Sequence, residues 1–274
     1  MKNTVPSLWR WCPASCIPCS QMLSQFLAVK CWLYVETFLL IAFSVCAGET
    51  APEIAKKEDD SPRWKLTTGW YHFTNKTNAG DFNLRYTWKD VGNFWIGYYL
   101  PEGRSADQYR VGWDSQFTLS PVRIMPSLQV ASGDFFGGSF GVETGKDWFI
   151  GAGYGRTNLR PYVNLNFDPN DSYTINGGYR WKNGASASVL WVQDVRLNPD
   201  QKHLHLVYRT PLPKGRRLTL DALFKTGLVG GNTIHKVGAS VTYDWPRYFV
   251  RVAYDPHANF APESMWRFSV GMRF

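Results

Sequence analysis

The chain has 274 residues, of which 44% are hydrophobic and 16% aromatic, and its 30 basic and 22 acidic side chains give a net charge of +8. No stretch approaches the roughly 20 consecutive apolar residues of a transmembrane helix, which argues against a helical membrane protein. The basic residues are scattered singly, which argues against nucleic acid as a partner. Aromatic richness, 24 glycines and frequent turn signals instead favour an all-β chain.

The amino-terminal region differs in character from the rest of the chain. Lys30 precedes the apolar stretch 38–45, and small residues follow around Ala47, which is the layout of a secretory signal peptide. We therefore expect residues 1–47 to be a leader that is cleaved after Ala47. Met22 is an alternative start of translation.

All five cysteines lie within this leader. Cys12, Cys16 and Cys19 have the close spacing of metal ligands, but no second pair accompanies them, and we expect no metal and no cofactor. In a weaker alternative the chain is a lipoprotein with Cys46 as its lipidated residue. A mature chain without thiols suits an oxidising compartment.

Residues 48–62 are charged and contain prolines, which predicts a short flexible periplasmic linker. From residue 63 onward, stretches of about ten residues alternate between apolar and polar side chains, so each extended strand has one apolar and one wet face. Short turn signals, among them 182–184, 213–215 and 230–232, separate the stretches and predict hairpins between antiparallel neighbours. Examples of the apolar series are Phe82, Leu84, Tyr86 and Trp88, then Tyr109, Val111 and Trp113, and later Leu218, Leu220, Ala222 and Phe224.

The last stretch, residues 265–274, has the clearest alternation. Its apolar face carries Trp266, Phe268, Val270, Met272 and Phe274, and its other face is polar. This arrangement resembles the carboxy-terminal strand of Gram-negative outer-membrane β-barrels, which commonly ends in Phe. The resemblance implies that Phe274 is the signal for the barrel assembly machinery. It also implies a multi-pass barrel surrounded by outer-membrane lipid and lipopolysaccharide.

We therefore predict that residues 63–274 form an all-β, transmembrane, antiparallel up-and-down β-barrel; the alternative is a soluble two-sheet sandwich. About fifteen strand candidates can be marked, whereas a barrel with both termini in the periplasm needs an even number. One candidate must be a loop or a false division, and the region from Pro121 to Pro126 is the most suspect because proline breaks strand ladders. We expect fourteen strands, with twelve as the alternative.

The predicted inner faces carry an excess of basic side chains. A basic wall attracts anions, which predicts a passive channel for small, anionic solutes. In the alternative, Arg and Asp pair across strands and fill the lumen, leaving a closed scaffold or export partner. The candidate lumen and solute-binding residues are Arg85, Arg110, Arg180, His203, His205, Arg209, Lys225, Lys236, Arg251 and Arg267.

Two histidine arrangements have chemical alternatives. His203 and His205 are spaced as two metal ligands on one strand face, but lacking a nearby Cys or acidic partner they are interpreted as wall residues. His72 and Thr74 resemble the His-x-Ser signature of outer-membrane phospholipases and lipid A deacylases, with Thr in place of Ser. A nucleophile needs a base and an orienting group, and the sequence names no orienter. A lipid-modifying enzyme is therefore the second hypothesis, with no catalytic residue assigned.

Overall fold

The computed structural model describes residues 62–103, 107–158, 171–196 and 198–274. The predicted leader, residues 1–47, and nearly all of the predicted linker, residues 48–62, lie outside the described residues. Within the described part of the chain, no helix is both long enough and apolar enough to cross a membrane.

The described residues form a succession of antiparallel strands, each paired with its neighbours in the chain. Because the last strand also pairs with the first, the sheet closes on itself. The segments are β1 (Trp64–Phe73), β2 (Asn78–Trp88), β3 (Gly92–Pro101), β4 (Gln108–Asp114), β5 (Phe117–Leu119), β6 (Val122–Ala131), β7 (Phe135–Gly145), β8 (Trp148–Thr157), β9 (Ser172–Arg180), β10 (Ser186–Asp194), β11 (Lys202–Leu212), β12 (Arg216–Val229), β13 (Asn232–Asp244), β14 (Tyr248–Asp255) and β15 (Met265–Arg273).

Segments β4 and β5 are two parts of one strand. Both pair with the same edge of β6 in one continuous register, from Arg110 opposite Ala131 to Phe117 opposite Ile124. The break falls opposite Pro126, which has no backbone N–H to continue the ladder. The barrel therefore has fourteen strands, as predicted, and the alternative of twelve is wrong. The false division lies at residues 115–116, outside the suspected region but opposite its last residue, Pro126, whereas residues 122–126 belong to β6.

The two ends of the described chain meet in the closing seam of the barrel. Trp64 and Phe274 exchange backbone hydrogen bonds of 2.9 and 3.0 Å. Since the strand number is even, both residues lie at the same end, which we call the terminal end. The opposite end, where residues 256–264 connect β14 to β15, is called the mouth.

The outer face of the barrel is apolar between two belts of aromatic side chains. Exposed aliphatic residues such as Ile96 (56% exposed) and Val270 (55% exposed) occupy the middle of the strands. Such a surface is stable only against lipid, and aromatic belts mark the two interfaces of an outer-membrane barrel. The chain is thus a multi-pass outer-membrane barrel. Neighbouring aromatic pairs at the terminal end include Trp64–Tyr86, Trp88–Phe94 and Trp148–Tyr179, and those towards the mouth include Tyr98–Tyr109, Tyr154–Tyr173 and Tyr254–Trp266.

A charge placed on the middle of this outer face should destabilise the barrel strongly. We expect Val270→Arg to lower the free energy of unfolding in lipid vesicles by about 2–4 kcal/mol, because the guanidinium enters the apolar band. Met272→Arg, one outward position nearer the rim, is the matched control and should cost less. Equal losses for both, measured by guanidinium titration, would contradict this depth dependence.

Candidate functional site

All ten lumen residues predicted from the sequence occupy inward positions, which alternate with the lipid-facing positions of the same strand. They fall into three groups. The first lines a cavity of about 270 Å³ on the wall formed by β14, β15, β1 to β4 and β6. Its lining contains two carboxylates, Asp81 and Asp114, and five basic residues, which are Lys65, Arg85, Arg110, Arg251 and Arg267.

Both carboxylates of this cavity are already engaged by arginines. Arg110 forms an ion pair with Asp81, and both side chains are buried. Tyr71 Oη also donates to Asp81, over 3.0 Å. Arg85 lies 3.3 Å from Asp114, in a pair that is about one-third exposed. The acidic groups in the lining are thus occupied by two of its five cations.

The other three cations, Lys65, Arg251 and Arg267, are called the basic cluster. Within the described residues, no ion pair joins Lys65 or Arg251 to a carboxylate. Lys65 Nζ lies 4.6 Å from the centre of the Phe249 ring, and Arg251 Nε donates to Thr242 Oγ1 over 2.9 Å. Arg267 Nε donates to Ser269 Oγ over 3.1 Å. The partners described above for the three side chains are an aromatic ring and two hydroxyl groups, which orient them along the cavity wall.

The wall opposite the basic cluster is rich in glycine. In the closed order of fourteen strands, β7 to β9 lie seven strands away from β14, β15 and β1. Glycine removes side-chain bulk from a wall, which leaves room inside the barrel. The inward positions of these strands include Gly137, Gly141, Gly151, Gly153 and Gly178.

A second group lies on other walls and is partly neutralised. Arg180 lies 2.6 Å from Glu143, which also pairs with Arg123, and its guanidinium carbon lies 3.6 Å from the centre of the Phe149 ring. His205 Nδ1 lies 3.1 Å from Asp221. Arg209 and Lys236 face the lumen and are exposed.

The third group, His203 and Lys225, is buried beneath the loop at the mouth. The two residues are 1% and 3% exposed. Lys225 Nζ donates to Asp255 Oδ1 over 2.8 Å and to the backbone oxygen of His257 over 3.0 Å. A solute inside the barrel cannot reach these groups in this conformation. Among the described residues, no three potential metal ligands converge.

His72 lies on the outer face, where its ring stacks on Trp70 with centroids 5.7 Å apart. Its Nδ1 lies 2.9 Å from Asn78 Oδ1, so the structure supplies an orienting amide that the sequence did not reveal. Thr74 Oγ1 accepts a hydrogen bond from the backbone of Ser264 over 3.1 Å. The described hydrogen bonds include none between His72 and Thr74.

Sequence reasoning missed several residues of this interior, including Asp81, Trp95, Arg123 and Glu143. Asp81 could have been found from the alternation of side chains, because it precedes the inward Arg85 by four residues and therefore lies on the same face of β2. Arg123 was obscured by the prolines around it, since that region was suspected of being a loop. Trp95 was missed because an aromatic side chain was expected to face lipid.

The fold can now be compared with known proteins. No protein-family model matches the chain, and no curated protein is significantly similar to it in sequence. The outer membrane protein Omp33 of Acinetobacter baumannii superposes with a TM-score of 0.55 at 14% identity, over 78% of this chain and 98% of that one. The fold is that of an outer-membrane barrel.

Two porin structures also align with the chain. The KdgM porin has a TM-score of 0.43 at 9% identity, over 77% of this chain and 99% of that one. The NanC porin has a TM-score of 0.44 at 8% identity, over 76% of this chain and 100% of that one.

The two ion pairs of the cavity should differ sharply in their effect on stability. Asp81→Asn leaves the buried Arg110 guanidinium uncompensated, and we expect it to lower the free energy of unfolding by about 3–5 kcal/mol. Asp114→Asn is the matched control, because its pair with Arg85 is partly hydrated and should contribute about 0–1 kcal/mol. Urea titration of both refolded variants measures the difference; similar losses would show that the two pairs are equally solvated.

Proposed function

We propose that the protein is an outer-membrane channel that passes small, anionic solutes along the basic cluster. One observation carries the proposal. Lys65, Arg251 and Arg267 line a cavity whose two carboxylates, Asp81 and Asp114, are already paired with other arginines. The cavity wall therefore presents positive charge to a solute.

Electrostatics explains why such a wall favours anions. The cavity is enclosed by protein of low dielectric constant, which focuses the field of the cluster and raises the local concentration of anions. A passage also requires weak binding, so that a solute can leave again. The cluster suits this requirement because its cations are held by hydroxyl groups and an aromatic ring rather than by a closed cage. In Arg251 the bond to Thr242 uses Nε, so that Nη1 and Nη2 remain for a carboxylate or phosphate.

The dimensions of the barrel support passage. An eight-stranded barrel is filled by its own side chains, whereas larger barrels leave an aqueous interior. With fourteen strands and a glycine-rich wall opposite the basic cluster, side chains from the two walls need not meet. Solutes would then pass between the cluster and the glycines of β7 to β9.

Ion selectivity tests the proposal. In planar bilayers under a potassium chloride gradient, the reversal potential of the full-length protein should show preference for chloride. We expect Lys65→Gln and Arg251→Gln each to reduce the anion-to-cation permeability ratio roughly two- to threefold, since each removes one charge from the focused field. The reduction should shrink at high salt because ions screen the cluster.

The control is Arg156→Gln, which removes an equal charge from an outward-facing position on β8. It should leave the permeability ratio unchanged. An absence of current through the wild-type protein, or selectivity for cations, would overturn the proposed function.

A second candidate function, acyl hydrolysis of membrane lipid, is favoured by one observation. The bond between His72 and Asn78 on the lipid-facing surface holds an imidazole as a catalytic base is held. If this candidate is right, protein in phospholipid vesicles should release fatty acid, and His72→Ala should abolish the release while the barrel remains folded. Absence of release by the wild-type protein eliminates it.

A further inference from the structure

The loop of residues 256–264, which connects β14 to β15 at the mouth, is a compact segment that we call the strap. It is held together by its own hydrogen bonds. The backbone N–H of Ala258 donates to the oxygen of Glu263 over 2.8 Å, and that of Phe260 donates to the oxygen of His257, also over 2.8 Å. The backbone N–H of His257 donates to Ser264 Oγ over 3.2 Å. The strap therefore has a defined shape.

That shape requires an unusual backbone. His257, Asn259 and Phe260 have φ angles of 46°, 51° and 56°, in the left-handed region that residues with a Cβ rarely occupy. Such residues persist where surrounding contacts hold them in place. The contacts that hold the strap should therefore be strong.

One side of the strap is anchored on β11 and β12. Lys225 of β12 donates both to Asp255, where the strap begins, and to the backbone oxygen of His257. The Phe260 ring stacks on His203 of β11, with centroids 5.1 Å apart and an angle of 18° between the rings. Lys225 Nζ also lies 4.9 Å from the centre of the Phe260 ring. The strap thus points into the barrel, because His203 and Lys225 are inward residues.

The other side of the strap packs towards the facing wall. Ala258 is 4% exposed and belongs to a buried cluster with Met265 and with residues of β1, β2 and β3, namely Tyr71, Ala79 and Tyr99. In the closed order of fourteen strands, β3 and β11 are seven strands apart and therefore face each other across the lumen. The strap and the cluster that it joins consequently bridge opposite walls at the mouth.

We infer that the strap sets the size limit of solutes that enter the barrel, and that Lys225 is the positioning residue that anchors it. This inference rests on the proposed channel function. The side chain of Lys225 is only 1% exposed, so it acts through the strap and not by contact with a solute. The aromatic ring of Phe260 is the latch that fixes the strap to the β11 wall.

The test compares two strap-releasing variants with a matched control. Lys225→Met removes both anchoring hydrogen bonds while it keeps a long side chain, and Phe260→Ala removes the latch. The control is Lys202→Met, since Lys202 lies at the mouth end of β11 opposite Thr226 of β12, alternates with the inward His203, and has no described contact with the strap. Both lysine variants lose one charge near the mouth, but only Lys225→Met releases the strap.

Size exclusion is measured with neutral sugars of increasing mass in a liposome-swelling assay of the full-length protein. Neutral solutes are used because their entry does not depend on the basic cluster. We expect both strap variants to admit a sugar that the wild-type protein excludes, and to raise single-channel conductance on the order of twofold, because the narrowest part of the passage widens. Lys202→Met should keep the wild-type size limit.

Circular dichroism confirms that each variant keeps its strands. Hydrogen exchange provides a second measurement on the wild-type protein, in which the amides of Ala258 and Phe260 should exchange more slowly than those of the 74–77 turn. Rapid exchange in the strap would overturn the inference even if both variants failed to fold.

The outcomes separate this inference from the proposed function. If Lys225→Met and Phe260→Ala fold and keep the wild-type size limit, the inference that the strap limits solute size is wrong. That result leaves the proposed anion selectivity unaffected. Current in the strap variants but none in the wild-type protein would overturn both the proposed function and the size limit, because the strap would then close the wild-type barrel completely. If no folded variant conducts, the inference about the strap is also wrong, since the lumen would then be closed elsewhere.

Discussion

The structure depends on one constraint: the backbone of a chain in lipid must satisfy its own hydrogen bonds, because no water is available in the hydrocarbon region. A sheet meets this constraint only if it has no edge, and the bonds between Trp64 and Phe274 remove the last edge. The ladder between β6 and its neighbour is interrupted at Pro126, which has no N–H to donate, and it resumes where Phe117 lies opposite Ile124.

The closed sheet also decides where charge is located. Since the outer face must be apolar, the polar side chains of the strands have only the lumen to occupy, and cations and carboxylates from distant strands meet there. Isolated charges are costly in such an environment, so acidic groups gather more than one partner. Asp244, for example, lies 3.3 Å from Arg217 and 2.5 Å from Arg273. Basic residues outnumber the carboxylates on β14, β15 and β1, and the basic cluster lies on these three strands.

The alternation of side chains was enough to predict the architecture. Period two identified the faces of strands such as β2 and β15. The requirement for an even strand number showed that one division was false, and the prolines indicated its neighbourhood, since the break at residues 115–116 lies opposite Pro126. Sequence could not predict which inward charges are compensated. Asp81 and Arg110 are 29 positions apart, and their contact depends on the registers of two successive strand pairs, β2 with β3 and β3 with β4. The strap was missed for a related reason, since a nine-residue loop with no periodicity carries no signal of the wall against which it packs.

Because some inward cations are buried, the number of basic residues in the lumen does not by itself indicate how strongly it would select anions. An inward cation contributes to selectivity only if a solute can approach it, and Arg110 and Lys225 fail this condition for different reasons. Arg110 forms an ion pair with the carboxylate of Asp81, whereas Lys225 donates a hydrogen bond to the backbone of the strap. What remains is arranged in series along the lumen, because the strap lies at the mouth and the basic cluster extends from there towards Lys65 at the terminal end. In the proposed channel, the strap would select solutes by size and the basic cluster would select them by charge at a different depth, so that mutation could change either property without the other.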